Sequence, residues 1–173
     1  MKGQCPIRHA EPVSASTVQQ DKSGQAEEWT LKQVQGDGKA VRFAGYAAIF
    51  DRVDRGGDIV RPGAFAGAVK LGPERVPLLW QHDAEKPIGR IESIAEDARG
   101  LRVIGRLSPR STAGREAAAL LRDGAVGGLS FGYRVRGSVA GTNRELTDLD
   151  LVEVSLVTFP MQPRARVHAV TEE

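Results

Sequence analysis

A single cysteine, Cys5, stands in a chain of 173 residues. No internal disulfide can staple the fold, and such a composition fits a reducing compartment. No apolar run approaches the length of about 18 residues that a membrane helix requires. Lys2 has no apolar segment behind it, so no secretory signal is expected, and the protein reads as cytoplasmic. Charge of one sign is also lacking: 24 Lys and Arg stand against 22 Asp and Glu, a net +2. The basic residues are scattered, which argues against a nucleic-acid partner. Aromatics make up only 5% of the chain and fall mostly in apolar strand phases. A barrel that stacks single-stranded bases needs them exposed beside a basic stripe. There is no Gly-rich loop followed by Lys and Ser or Thr, so nucleotide binding has no support. His82-Asp83 has no second histidine or cysteine at useful spacing, so neither a metal nor another cofactor is expected.

What is present is ordinary for a globular domain, with 40% hydrophobic and 27% charged residues. Residues 1–28 carry no aromatic and no apolar periodicity, and read as a mobile tail. Cys5 and His9 lie there, too isolated for metal or thiol chemistry. From Trp29 onward, residues 29–173 read as one domain. Strands are expected over 29–34, 40–50, 76–82, 88–95, 101–107, 125–136, 145–159 and 165–170. Turns are expected at 36–39 and 83–87, and a polar loop at 51–58. Helices are expected over 64–71, after Pro62, and over 113–123, capped by Ser111 or Thr112 and ended by Gly124. Many short strands with two helices predict a mainly β, α+β architecture: a small closed or partly open barrel wrapped by short helices.

Three residues could carry chemistry. In Gly127-Gly-Leu-Ser-Phe-Gly-Tyr133, Ser130 lies on the face opposite Leu129, Phe131 and Tyr133, among glycines that suggest close approach by a backbone or a ligand. The plainer reading is an incidental serine in a kinked strand. His82 is the one histidine outside the tail and the last few residues, where His9 and His168 lie. It ends the apolar row Val76, Leu78, Trp80, although a histidine at a strand end is commonly a turn residue. Glu153 interrupts a strand that is apolar on both faces, and a buried carboxylate needs a partner. An imidazole would satisfy it and also aim a base at a serine. An arginine would satisfy it equally well. Ser155 competes with Ser130 as nucleophile, though its bulky neighbours leave less room, and Asp83 competes with Glu153 as the group that orients His82.

The blocks Leu79-Trp-Gln-His-Asp83, Gly128-Leu-Ser-Phe-Gly-Tyr133 and Leu151-Val-Glu-Val-Ser-Leu-Val-Thr-Phe-Pro160 resemble the signature blocks of the tailed-phage prohead proteases. Phe43–Phe50 and Asp58–Phe65 resemble that family's N-terminal blocks, and the likeness covers residues 40–168. It implies a fold similar to the herpesvirus capsid-maturation proteases and a serine endopeptidase with His82 and Ser130 as the catalytic pair. Glu153 is the implied third member, and the segment from Gln162 to Arg166 the implied source of oxyanion donors. The implied partners are the major capsid protein with its scaffolding segment, or a separate scaffold protein, cut inside an assembling prohead. Autoproteolysis, with a site expected in the N-terminal tail, and a homodimer are implied as well. The reading from another class is an inactive barrel that binds capsid or scaffold protein as an assembly factor.

Overall fold

Alternation of apolar and polar side chains sets the strands. In the computed structural model, which describes residues 39–172, strand β1 (Val41–Ile49) buries Val41 and Phe43 and leaves Arg42 and Ala44 half-buried. It is followed by β2 (Asp58–Val60), helix α1 (Ala66–Leu71), a 3-10 turn (Pro73–Arg75), β3 (Pro77–Trp80), β4 (Asp83–Glu96) and β5 (Gly100–Leu107). Helix α2 (Thr112–Arg122), β6 (Gly128–Val139), β7 (Arg144–Val157) and β8 (Val167–Glu172) complete the order. The expected tail over 1–28, the strand over 29–34 and the turn at 36–39, apart from Lys39, lie outside the described residues. Among the described residues, no helix is long and apolar enough to cross a membrane.

The sheet runs β2-β7-β3-β4-β5-β1-β8, with β6 on the other edge of β7. β2 pairs with the start of β7 and β3 with its end, both in parallel. Among the described residues no continuous ladder closes the ring. The ends are stitched instead by the Gly128–Arg166 bridge, where Leu129 N–H donates to Ala165 O and Val167 N–H to Gly127 O, both at 2.9 Å. The expected barrel is therefore a partly open one. Its interior holds Phe43, Leu78, Ile88, Leu101, Leu107, Leu129, Leu149 and Leu156, all essentially inaccessible to solvent. Each such side chain contributes roughly 1.5–3 kcal/mol on burial.

Helix α2 begins where Ser111 Oγ accepts from Gly114 N–H at 3.0 Å, and Gly124, with φ of 70°, follows its end. Ala117, Ala118 and Leu121 form its buried stripe. The turn expected at 83–87 is instead the start of β4, because the chain reverses earlier, at Gln81 and His82.

Gly45 marks where three segments meet. A Cβ there would lie 2.3 Å from Arg166 O, 2.7 Å from Leu129 Cδ1 and 2.9 Å from Val167 Cα. The β1–β8 ladder shifts register at this point, and Tyr46 N–H donates to Arg166 O. Gly45→Ala should therefore cost about 1–3 kcal/mol, since backbone must move to admit the methyl. Gly67→Ala, in α1 with open space around the added carbon, should stabilise by up to about 1 kcal/mol. Urea midpoints of the two variants, compared with the parent, check both.

Candidate active site

β7 carries the polar centre of the molecule. Glu153 and Ser155 are two residues apart and so share a face. Both are buried, Glu153 at 6% exposure and Ser155 at 0%. Ser155 Oγ donates to Glu153 Oε2 at 2.5 Å. On one side Ser155 is in register with Leu79 of β3, and on the other with Ser130 of β6. The parallel β3–β7 pairing also places the end of β3 beside this pair of polar residues.

The β3–β4 connection is a two-residue loop, with Trp80 opposite Asp83. Its residues Gln81 (φ 53°) and His82 (φ 63°) are both left-handed, the φ signature of a type I′ hairpin loop. Histidine tolerates this region better than most side chains. The loop is pinned to β7: Gln81 N–H donates to Leu156 O at 3.0 Å, and Gln81 Nε2 to Thr158 Oγ1 at 2.7 Å. His82 N–H donates to Ser155 Oγ at 3.2 Å. His82 thus sits in a turn, not at the end of a strand row, which turns its ring back over β7.

His82 Nδ1 lies 2.6 Å from Glu153 Oε1. A carboxylate only accepts, so Nδ1 carries the hydrogen and Nε2 is left as the basic nitrogen. The hydrogen bond to Glu153 raises the imidazole pKa above its ordinary value, against the opposing effect of burial. The arginine alternative for Glu153 is not what forms: His82 and Ser155 take its two oxygens. Asp83 is likewise removed as the orienting group, because it pairs with Lys86 and accepts from Glu85 N–H. Ser155 is sealed from solvent, which leaves a substrate no approach to it.

Ser130 and His82 line one cleft of about 510 Å³, walled by Phe131, Tyr133, Phe159 and Met161. Phe159 is 81% exposed at its rim. The structure brings the three expected residues to one place, with the imidazole bonded to Glu153 and no hydrogen bond from the Ser130 hydroxyl to it. A larger hollow of about 690 Å³ lies between β4, β5 and the start of α2, lined by Arg90, Arg106 and Arg110. It has no histidine and no carboxylate in its lining, so volume alone does not select it.

The glycines of β6 serve the protein's own groups. A Cβ on Gly132 would lie 2.7 Å from Glu153 Oε1, and one on Gly128 would lie 2.6 Å from Val157 O and 2.8 Å from Pro160 Cδ. Gly132 therefore makes room for the carboxylate, and Gly128 for the segment after β7. Of the two expected causes, a backbone or a ligand, Gly128 shows the backbone at Val157 O, and Gly132 faces a side chain of the protein itself.

Two features of the site escape the sequence reading. Asp58, 8% exposed, is held by Arg144 through Nε at 2.9 Å and Nη2 at 2.5 Å, and accepts from Tyr133 Oη at 3.3 Å. The Arg144 hydrogen bond holds the Asp58 carboxyl below its usual range. The two are register partners across 86 residues, a pairing that local pattern cannot show. The buried Gln162 amide accepts from Ile49 N–H at 2.6 Å and donates to Ile49 O at 3.1 Å. It fastens the segment between β7 and β8 to the end of β1.

The sequence family described as Caudovirus prohead serine protease matches residues 27–173. The Prohead protease of Enterobacteria phage HK97 is 36% identical over 140 residues, covering 78% of this chain and 62% of that protein. The chain thus spans a little under two thirds of that relative's length. The protease of KSHV, solved in complex with a hexapeptide phosphonate inhibitor, is similar in structure. Its TM-score is 0.54 at 13% identity, over 78% of this chain and 66% of that one. The capsid assembly protease of bacteriophage T4 also has a TM-score of 0.54, at 16% identity, over 67% of this chain and 80% of that one. At those identities the likeness is one of fold.

The Asp58–Arg144 pair has a pH signature. Its contribution is present above the unfolded carboxyl pKa of about 3.9 and lost as pH falls through the lower folded value. Asp58→Asn should reduce the urea midpoint at pH 7, and the gap to the parent should narrow below pH of about 4. Denaturation at a series of pH values checks this.

Proposed function

This chain belongs to the caudovirus prohead serine protease family, and we propose that it is a serine endopeptidase of capsid maturation with Ser130, His82 and Glu153 as its reacting centre. The observation that carries the reading is the 2.6 Å bond from His82 Nδ1 to a buried Glu153, in the cleft that Ser130 also lines. In this reading Ser130 Oγ attacks the scissile carbonyl while His82 Nε2 accepts its proton. The same nitrogen then returns the proton to the leaving amine, and water repeats the cycle on the acyl-enzyme. Glu153 fixes the tautomer and stabilises the imidazolium. Backbone N–H groups of the segment 162–166 are the proposed oxyanion donors. Ala165 N–H is already committed to Gln162 O at 2.9 Å.

The proposed substrates are the scaffolding segment of the major capsid protein or a separate scaffold protein, cut inside assembling proheads in the host cytoplasm. The protease itself is a further proposed substrate, and a homodimer a proposed state. An apolar rim at Phe159 and Met161, both largely exposed, suits an extended peptide laid across the cleft.

Ser130→Ala should fold as the parent does and leave capsid and scaffold protein uncut in co-expression. Full processing by that variant would remove Ser130 as the nucleophile. A fluorophosphonate probe should label Ser130 in the parent; failure of both labelling and processing is the behaviour of the inactive assembly factor.

The pH profile tests Glu153. Only neutral His82 can act as the base, and its pKa is raised, so turnover should rise with pH through a midpoint above about 6.5. In Glu153→Gln that midpoint should fall toward about 6.5, with turnover lower by on the order of 10²–10⁴. If only the melting temperature changes, Glu153 is a structural residue.

A further inference from the structure

Among the described residues, Ser155 is the buried polar side chain that touches both partners of the bond on which the proposed chemistry rests. Its Oγ–H is donated to Glu153 Oε2 at 2.5 Å, and the same oxygen accepts His82 N–H at 3.2 Å. It is wholly buried and stands directly across the ladder from Ser130. We infer that Ser155 is a positioning residue of the catalytic centre, acting through Glu153 and the His82 backbone and never touching substrate. The inference rests on the reading of Ser130, His82 and Glu153 given above.

A carboxylate buried at the His82 bond needs its second oxygen occupied, because an acceptor shut away from water and left unmet carries the full cost of its desolvation. Without a donor at Oε2, the carboxylate is free to turn about its last torsion, which is soft and broad, and Oε1 leaves the line to Nδ1. Gln81 and His82 are non-glycine residues in a left-handed conformation, a state that persists only where surroundings over-determine it. The His82 N–H bond to Ser155 is one of those determinants. A single hydroxyl thus sets the orientation of the acid and the height of the base.

Other charges do not substitute for it. Asp54, Arg55 and Asp58 line the same cleft without a hydrogen bond to the imidazole. Asp58 is engaged by Arg144, Asp54 accepts from Gly56 and Asp58 N–H, and Asp83 on β4 is paired with Lys86.

The test is the rate at which a fluorophosphonate inactivates the parent, Ser155→Ala and Ser155→Thr as a function of pH, with melting curves for each. In Ser155→Ala the rate should fall by up to about 100-fold, as for a misplacement of about 1 Å. The midpoint of its acid limb should drop toward that of Glu153→Gln, with melting still cooperative. Ser155→Thr keeps the hydroxyl and should recover both the rate and the limb. If Ser155→Ala does not melt cooperatively, Ser155→Cys, a near-isostere with a weak donor, is held to the same criteria. A parent-like rate and limb in the Ala variant overturns the inference, and so does a slower rate with the limb unmoved or moved upward. A parent that is neither labelled nor able to process capsid or scaffold protein overturns the proposed function itself, which keeps the two failures apart.

Discussion

A carboxylate buried in a β-strand is the constraint around which this molecule is built. Glu153 lies where β7 is covered on both faces, and an unpaired charge there would cost several kcal/mol. Both oxygens are met, one by His82 and one by Ser155. Meeting the first oxygen fixes where the β3–β4 loop must turn. Room for the pair exists because β6 offers glycine, not a side chain, at position 132. Three strands are therefore committed to one ionisable group, and displacing any of them leaves that group unsatisfied.

The topology explains how residues so far apart in sequence meet. β7 has partners on both edges, antiparallel β6 along most of its length on one, and parallel β2 and β3 near its two ends on the other. The parallel pairing delivers the end of β3, with its tight loop, to the C-terminal end of β7. The antiparallel pairing brings Ser130 opposite Ser155. Base, acid and hydroxyl thus come from different elements but are referenced to a single strand. Rigid elements hold such constellations more closely than loops do.

Much of this was readable from residue order. Alternation located most of the strands, and the Ser111 and Gly124 signals placed the long helix to within a residue of its observed span. Glu153 stood out because a charge inside a doubly apolar strand must be answered by something. What answered it was not readable, since histidine and arginine satisfy a carboxylate equally well on paper. The turn at Gln81-His82 was missed because neither residue is Gly, Asn or Asp, and the left-handed backbone is imposed by contacts to β7. The short strand β2 and the Asp58–Arg144 pair were missed because parallel pairing across 86 residues leaves no local periodicity. The β6 glycines pointed to close approach by a backbone or a ligand, and what approaches is the protein itself: Val157 O and Pro160 at Gly128, and the Glu153 side chain at Gly132.

The stitching of the sheet's two ends and the shape of the cleft depend on one segment, that between β7 and β8. Phe159, Pro160 and Met161 wall the cleft on one side. Four residues after Met161, Ala165 and Arg166 stitch β6 to β1 through Leu129 N–H and Tyr46 N–H. Between them, Gln162 clamps both backbone groups of Ile49 with a buried amide. Neither end of this segment can shift while the clamp holds. Opening the barrel at Gly128 or Gly45 would therefore carry the cleft wall away from Ser130. The cleft does not merely sit on a finished fold, because the same hydrogen bonds finish both.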